Sequence, residues 1–143
     1  MTSAPVAVVD VLASLLEAEH NSVFRLMGEN SPYLKQAPQH VRDSLTAMVR
    51  NCHEHARELA DLIRRLGGKP APEPPPADNE MLEYLSLKFL LPKLVNSKQL
   101  MIERYRNALR IIQNGPPEAV SLLRRHLDKL KEDLQMLQSL HAD

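Results

Sequence analysis

Tryptophan is absent, and the aromatic residues are two Phe and three Tyr in 143 positions. A core without large flat rings must be filled by aliphatic side chains. The Leu-rich sequence, poor in β-branched runs, points to helices and not strands. A single cysteine, Cys52, excludes an internal disulfide and leaves nothing to mark an oxidising compartment. An excess of either charge is also missing, with Lys plus Arg at 18 and Asp plus Glu at 18. Phosphate backbones are held by basic faces, so no nucleic-acid partner is expected. No apolar run approaches the roughly 20 residues that span a bilayer, so no membrane insertion is expected. The apolar start, residues 4–16, contains Asp10 and lacks a basic leader, and reads as the opening of a helix instead of a signal peptide. No Gly-rich phosphate loop, nucleophile elbow or HExxH zinc motif occurs. These absences leave an all-α, cytoplasmic protein whose length suits one domain over residues 1–143.

What the chain does have is helical periodicity. Val41, Leu45, Met48, Cys52, His55, Leu59, Leu62 and Leu66 recur with steps of 4, 3, 4, 3, 4, 3, 4 and predict a helix over 38–66, stopped by Gly67 and Gly68. A first helix over 5–27 carries Val8, Leu12, Leu15, Glu19, Ser22 and Leu26 on one seam. A third, over 79–113, contains Pro92, which should kink it. A fourth, over 117–141, follows the turn Asn114-Gly115-Pro116 and has the seam Val120, Leu123, Leu127, Leu130, Leu134, Leu137. Four seamed helices predict a four-helix bundle. The Pro-rich stretch 69–78 is stiff enough to cover on the order of 30 Å at about 3.1 Å per residue. It can therefore cross the bundle or fold back, and the topology turns on which it does.

Two features exceed what one hydrocarbon core needs. Around Pro92, Tyr84, Leu87, Phe89, Leu90, Leu91 and Leu94 are apolar on more than one face. They predict a homodimer through the third helix, a kinked piece lying across the bundle, or the docking face of an unidentified protein partner. The second feature is a polar layer. Glu19, Cys52 and His55 fall on inward seams, and a buried carboxylate is costly unless paired, protonated or metal-bound. One reading is a neutral His55 bonded to Glu19 and Tyr105, a satisfied layer that fixes helix register. The other is a cation, iron or zinc, held by Glu19 and His55, with Glu103 at the edge of the third helix, His20 or a second chain completing the shell. Cys52 reads as a small core hydrophobe. Glu17 and His20 read as a solvated or rim pair, and Arg124-Arg125-His126 as a solvated basic face neutralised by Asp128 and Glu132.

Glu19, followed by a helix ending His55-Ala56-Arg57-Glu58-Leu59-Ala60-Asp61-Leu62-Ile63-Arg64-Arg65-Leu66-Gly67-Gly68-Lys69-Pro70, resembles the first half of the ferritin-like superfamily. In that superfamily each half supplies a Glu from its first helix and Glu-x-x-His from its second, and together they hold two irons. The resemblance implies a ferritin-like bundle in which Glu19 and His55 stand at ligand positions and Glu103 is the candidate on the third helix. Cys52 takes the place of the first motif's Glu, and the core of the fourth helix offers Leu127 and Leu130 where the second motif should lie. The expectation is a bundle that has lost its di-iron centre, needs no cofactor, and works as a non-catalytic binding or structural module. A partial metal site for iron or zinc, or an oxidase built on it, is the alternative.

Overall fold

The computed structural model describes residues 6–27, 37–74 and 87–140. Among these, the elements are α1 (Val6–His20), α2 (Val23–Met27), α3 (Gln39–Arg65), α4 (Leu87–Ile112) and α5 (Pro117–Ser139). Among the described residues the chain is all-α, the class its composition points to.

The first predicted helix is two. The Ser22 amide bonds back to the Glu19 carbonyl at 3.2 Å, a tightened last turn, and the Ser22 hydroxyl accepts the Phe24 amide at 3.2 Å. A serine that caps a new helix competes with continuation of the old one. The restart buries Phe24 and Met27.

α3 follows its seam closely. Val41, Leu45, Met48, Cys52, His55, Leu59 and Leu62 are all buried. Its end is a paired stop, with the Gly67 amide on Arg64 O (3.0 Å) and the Gly68 amide on Ile63 O (2.8 Å). Gly67 has φ +90°, the left-handed value that glycine tolerates. Gly68 is needed for another reason: a Cβ there would lie 2.7 Å from Val9 Cγ1 and 2.9 Å from Ile63 Cγ2.

The core lies in two apolar clusters at opposite ends. One joins Val8–Leu16 of α1 to the end of α3 (Leu59, Leu62, Ile63), the end of α4 (Met101–Ile112) and the start of α5 (Ala119–Leu130). The other joins Phe24 and Met27 to the start of α3 (Val41–Cys52), the start of α4 (Leu90, Leu91, Leu94) and the end of α5 (Leu137, Leu140). α3 and α4 therefore run the same way, and the chain between them crosses the length of the bundle. Its described part, up to Pro74, runs back along α3 as a strap. There Glu73 reaches Arg25 (3.5 Å) and His53 (3.9 Å), and Pro74 O accepts from Arg25 Nη2.

Two expectations are corrected here. Leu90, Leu91 and Leu94 do not form an outward interface. They are buried inside the protomer, because α2 and the ends of α3 and α5 build a second core around them. Phe89 is exposed, while Tyr84 and the Leu87 side chain lie outside the described residues, as does the expected helix start at Asn79. On α5 the buried row is Ala119, Leu123, His126, Leu130, Asp133 and Leu137 along with Leu122 and Leu127, while Val120 and Leu134 are only half-buried. His126 is thus an inner residue and not part of a solvated face. Among the described residues, no helix is long and apolar enough to cross a membrane.

Candidate functional site

Near the junction of the two clusters, α1, α3, α4 and α5 each interrupt their apolar seam with polar side chains. Glu19 (2% exposed), His55 (6%), Tyr105 (0%) and His126 (1%) form the centre. The Tyr105 hydroxyl donates to Glu19 Oε2 at 2.9 Å and lies 3.0 Å from His126 Nδ1. His126 Nε2 is 3.0 Å from Glu58 Oε1, and Arg125 donates to Glu58 Oε2 at 2.7 Å. The His55 ring stacks on that of His126, centroids 3.8 Å apart and planes 13° from parallel. A chain of contacts therefore runs from the buried carboxylate of Glu19 out to the partly exposed Glu58 and the exposed Arg125.

Burial, helped by the neighbouring His55, pushes the His126 imidazole down to about 3, so it carries one hydrogen near neutrality. That hydrogen and the Tyr105 hydroxyl hydrogen serve three contacts. With the Tyr105 hydroxyl donating to Glu19, the one His126 hydrogen serves either the Tyr105 oxygen from Nδ1 or Glu58 from Nε2. Burial first, then Glu19, raises Tyr105 well above the ordinary phenol range. Burial and Glu19 likewise push the Cys52 thiol up to about 12, so Cys52 stays protonated, 3.6 Å from Glu19 Oε1 and 3.5 Å from Glu19 O. It is a weak donor, and neither a nucleophile nor a ready thiolate ligand.

A second buried pair lies beside this centre. Lys98 Nζ is 3.8 Å from Asp133 Oδ2 and 4.0 Å from the centroid of the Phe24 ring, and Asn51 donates to the same Asp133 oxygen at 3.3 Å. Burial lowers Lys98 from the usual ammonium range, and Asp133 and Glu19 oppose that shift.

Of the residues singled out from the sequence, Glu19, Cys52 and His55 are brought together. His55 Nδ1 faces Glu19 Oε2 at 3.5 Å, too far for a hydrogen bond, and is a buried atom without a partner. Glu103 is not brought in: its side chain is exposed and paired with Arg106 at 2.7 Å. His20 is buried and held neutral by that burial, while Glu17 is exposed, so they are not a solvated pair. Arg125 is neutralised by Glu58 of α3 in place of Asp128 and Glu132. Glu58, Lys98, His126 and Asp133 were not identified from the sequence.

These donors do not fit a two-iron centre. Among the described residues, no three His, Cys, Asp or Glu side chains are placed so that they could hold one metal ion. Tyr105 already occupies Glu19 Oε2 and His126 Nδ1, the fourth-helix positions Leu127 and Leu130 are hydrocarbon, and Glu103 faces water. No family model, no curated protein and no solved structure matches the chain.

Proposed function

We propose that this chain is a ferritin-like bundle in which hydrogen bonds between side chains have replaced a di-iron centre, and that it works as a non-catalytic binding or structural module. The observation that carries this reading is the Tyr105 hydroxyl, set between Glu19 and His126. It donates to a Glu19 oxygen that a cation would need and, with His126 beside it, brings helices α1, α4 and α5 together. A polar layer bridged in this way favours one helix register over its neighbours.

The test has two arms. Protein purified without a His-tag should hold no stoichiometric iron or zinc by elemental analysis, before or after incubation with either ion. Tyr105→Phe should lower stability by about 2–3 kcal/mol in urea titration, because it strips a buried carboxylate of its donor. One equivalent of metal that disappears in Glu19→Ala and His55→Ala would overturn the reading. It would favour the second one, an iron- or zinc-binding protein or oxidase with a partial site, to which the unpartnered His55 Nδ1 lends support.

The module is proposed to be a homodimer through the outer face of α4. Phe89, Leu100 and Ile111 are 62%, 55% and 64% exposed and spaced 11 residues apart. At about 100° per residue, 11 residues return to within roughly 20° of the starting direction, so the three lie along one line. The line is symmetric about Leu100. A second copy laid antiparallel would set Leu100 on Leu100 and Phe89 on Ile111, the self-complementarity that a two-fold interface needs. An unidentified protein on the same face is the competing occupant.

A further inference from the structure

We propose that the cavity between α3 and the returning strap binds a small phosphate ester, whose phosphate takes the place held by the Glu73 carboxylate. The cavity measures about 390 Å³, larger than a bare ion needs and within the range of small-molecule sites. Its floor is the stripe Cys52, Ala56 and Ala60, four residues apart on α3, whose small side chains leave the space. Its rim is basic: Arg25, Arg57 and Arg64 line it together with His20 and His53, and Glu73 is the one carboxylate among its lining residues.

The decisive atom is Arg25 Nε. The Arg25 side chain is 8% exposed. Its Nη1 donates to the His20 carbonyl at 3.1 Å and its Nη2 to the Pro74 carbonyl. Nε lies 3.5 Å from Glu73 Oε1 without forming a hydrogen bond, a buried donor with no acceptor. The same Glu73 oxygen is 3.9 Å from His53 Nδ1. Glu73 thus sits between two donors, close to each and bonded to neither, and its side chain is 62% exposed, so it can swing out into water. A tetrahedral oxyanion is larger than a carboxylate. It presents oxygens in several directions, which suits donors arriving from α1, α2 and α3. The uncharged part of the ligand would lie over Ala56 and Ala60. This inference does not depend on whether a metal binds at Glu19 and His55.

The test is calorimetric titration of the full chain with glycerol 3-phosphate and with inorganic phosphate, with glycerol as the uncharged control and circular dichroism as the check on folding. Saturable binding of glycerol 3-phosphate is expected, accompanied by NMR shifts of the His20 and His53 ring protons. Arg57→Ala, on the exposed rim, should weaken it about tenfold. Glu73→Gln, which keeps the size of the side chain and removes the competing charge, should tighten it about threefold or more. Arg124→Ala, in the arginine cluster with Arg106 and Arg110 on another face, should leave it unchanged. Absence of saturable binding would overturn the proposal. So would equal weakening by Arg57→Ala and Arg124→Ala, or indifference to Glu73→Gln.

Discussion

His126 gives the bundle an acid limit. Its imidazole is held at about 3 by burial, against 6.5 in an open chain. The unfolded state therefore takes up the proton first, and stability falls as pH drops from 6.5 toward 3. His20, also lowered by burial, adds to the same slope. At the other end the folded Cys52 thiol ionises only near 12, against 9.0 in the open chain, and the buried Tyr105 phenol moves the same way. Stability should therefore fall again above about pH 9, a fall that the lowered Lys98 ammonium opposes in part, leaving the maximum above about pH 7. Urea midpoints measured from about pH 4 to about pH 10.5 should trace this dome, and His126→Gln should flatten its acid side. A midpoint unchanged between about pH 7 and 5 would contradict the assignment. Glu19, Cys52 and His55 were legible as inner residues because each falls on a hydrocarbon seam. His126 and Asp133 were not, because the seam on the last helix was drawn through Leu127 and Leu134. The row Ala119, Leu123, His126, Leu130, Asp133, Leu137 has the same spacing but asks one to accept two polar members. Lys98 hides in the same manner between Leu94 and Met101, and Glu58 enters from the flank of α3 by way of His126.

Among the elements, the end of α3 is the sharpest test of packing. Gly67 and Gly68 look alike in sequence but are constrained differently. At Gly67 a side chain meets open space and pays only for φ +90°, so Gly67→Ala should cost about 1 kcal/mol. At Gly68 the added carbon meets Val9 and Ile63 below 3 Å, and Gly68→Ala should cost more, about 1–3 kcal/mol, by forcing α1 away from the strap. Thermal unfolding of the two variants should rank them in that order. The long helices were readable because period 3.6 persists through α3, and because Gly and Pro mark its ends. The break at Ser22 was not readable: an apolar seam can be continued on paper through Leu26, whereas the molecule gains more by capping a new helix and burying Phe24.

For the whole molecule, zero net charge and the exposed line on α4 bear on association. Leu100→Glu would place like charges face to face at the centre of the proposed two-fold. Sedimentation should then show the dimer reverting to monomer with the helical content unchanged. A wild-type chain that stays monomeric over a wide concentration range would remove that interface. The all-helical class was legible in the seams, but the direction of α4 was not, because a Pro-rich stretch of that reach permits either course. The described helices form two hairpins, α1–α3 and α4–α5, and the polar layer is shared between them. Glu19 and His55 belong to one hairpin, Tyr105 and His126 to the other. Neither hairpin alone can dry its inner face without stranding a carboxylate or an imidazole. The two must close on each other in a single step, and a half-molecule would remain a wet, fluctuating pair of helices until it met its complement.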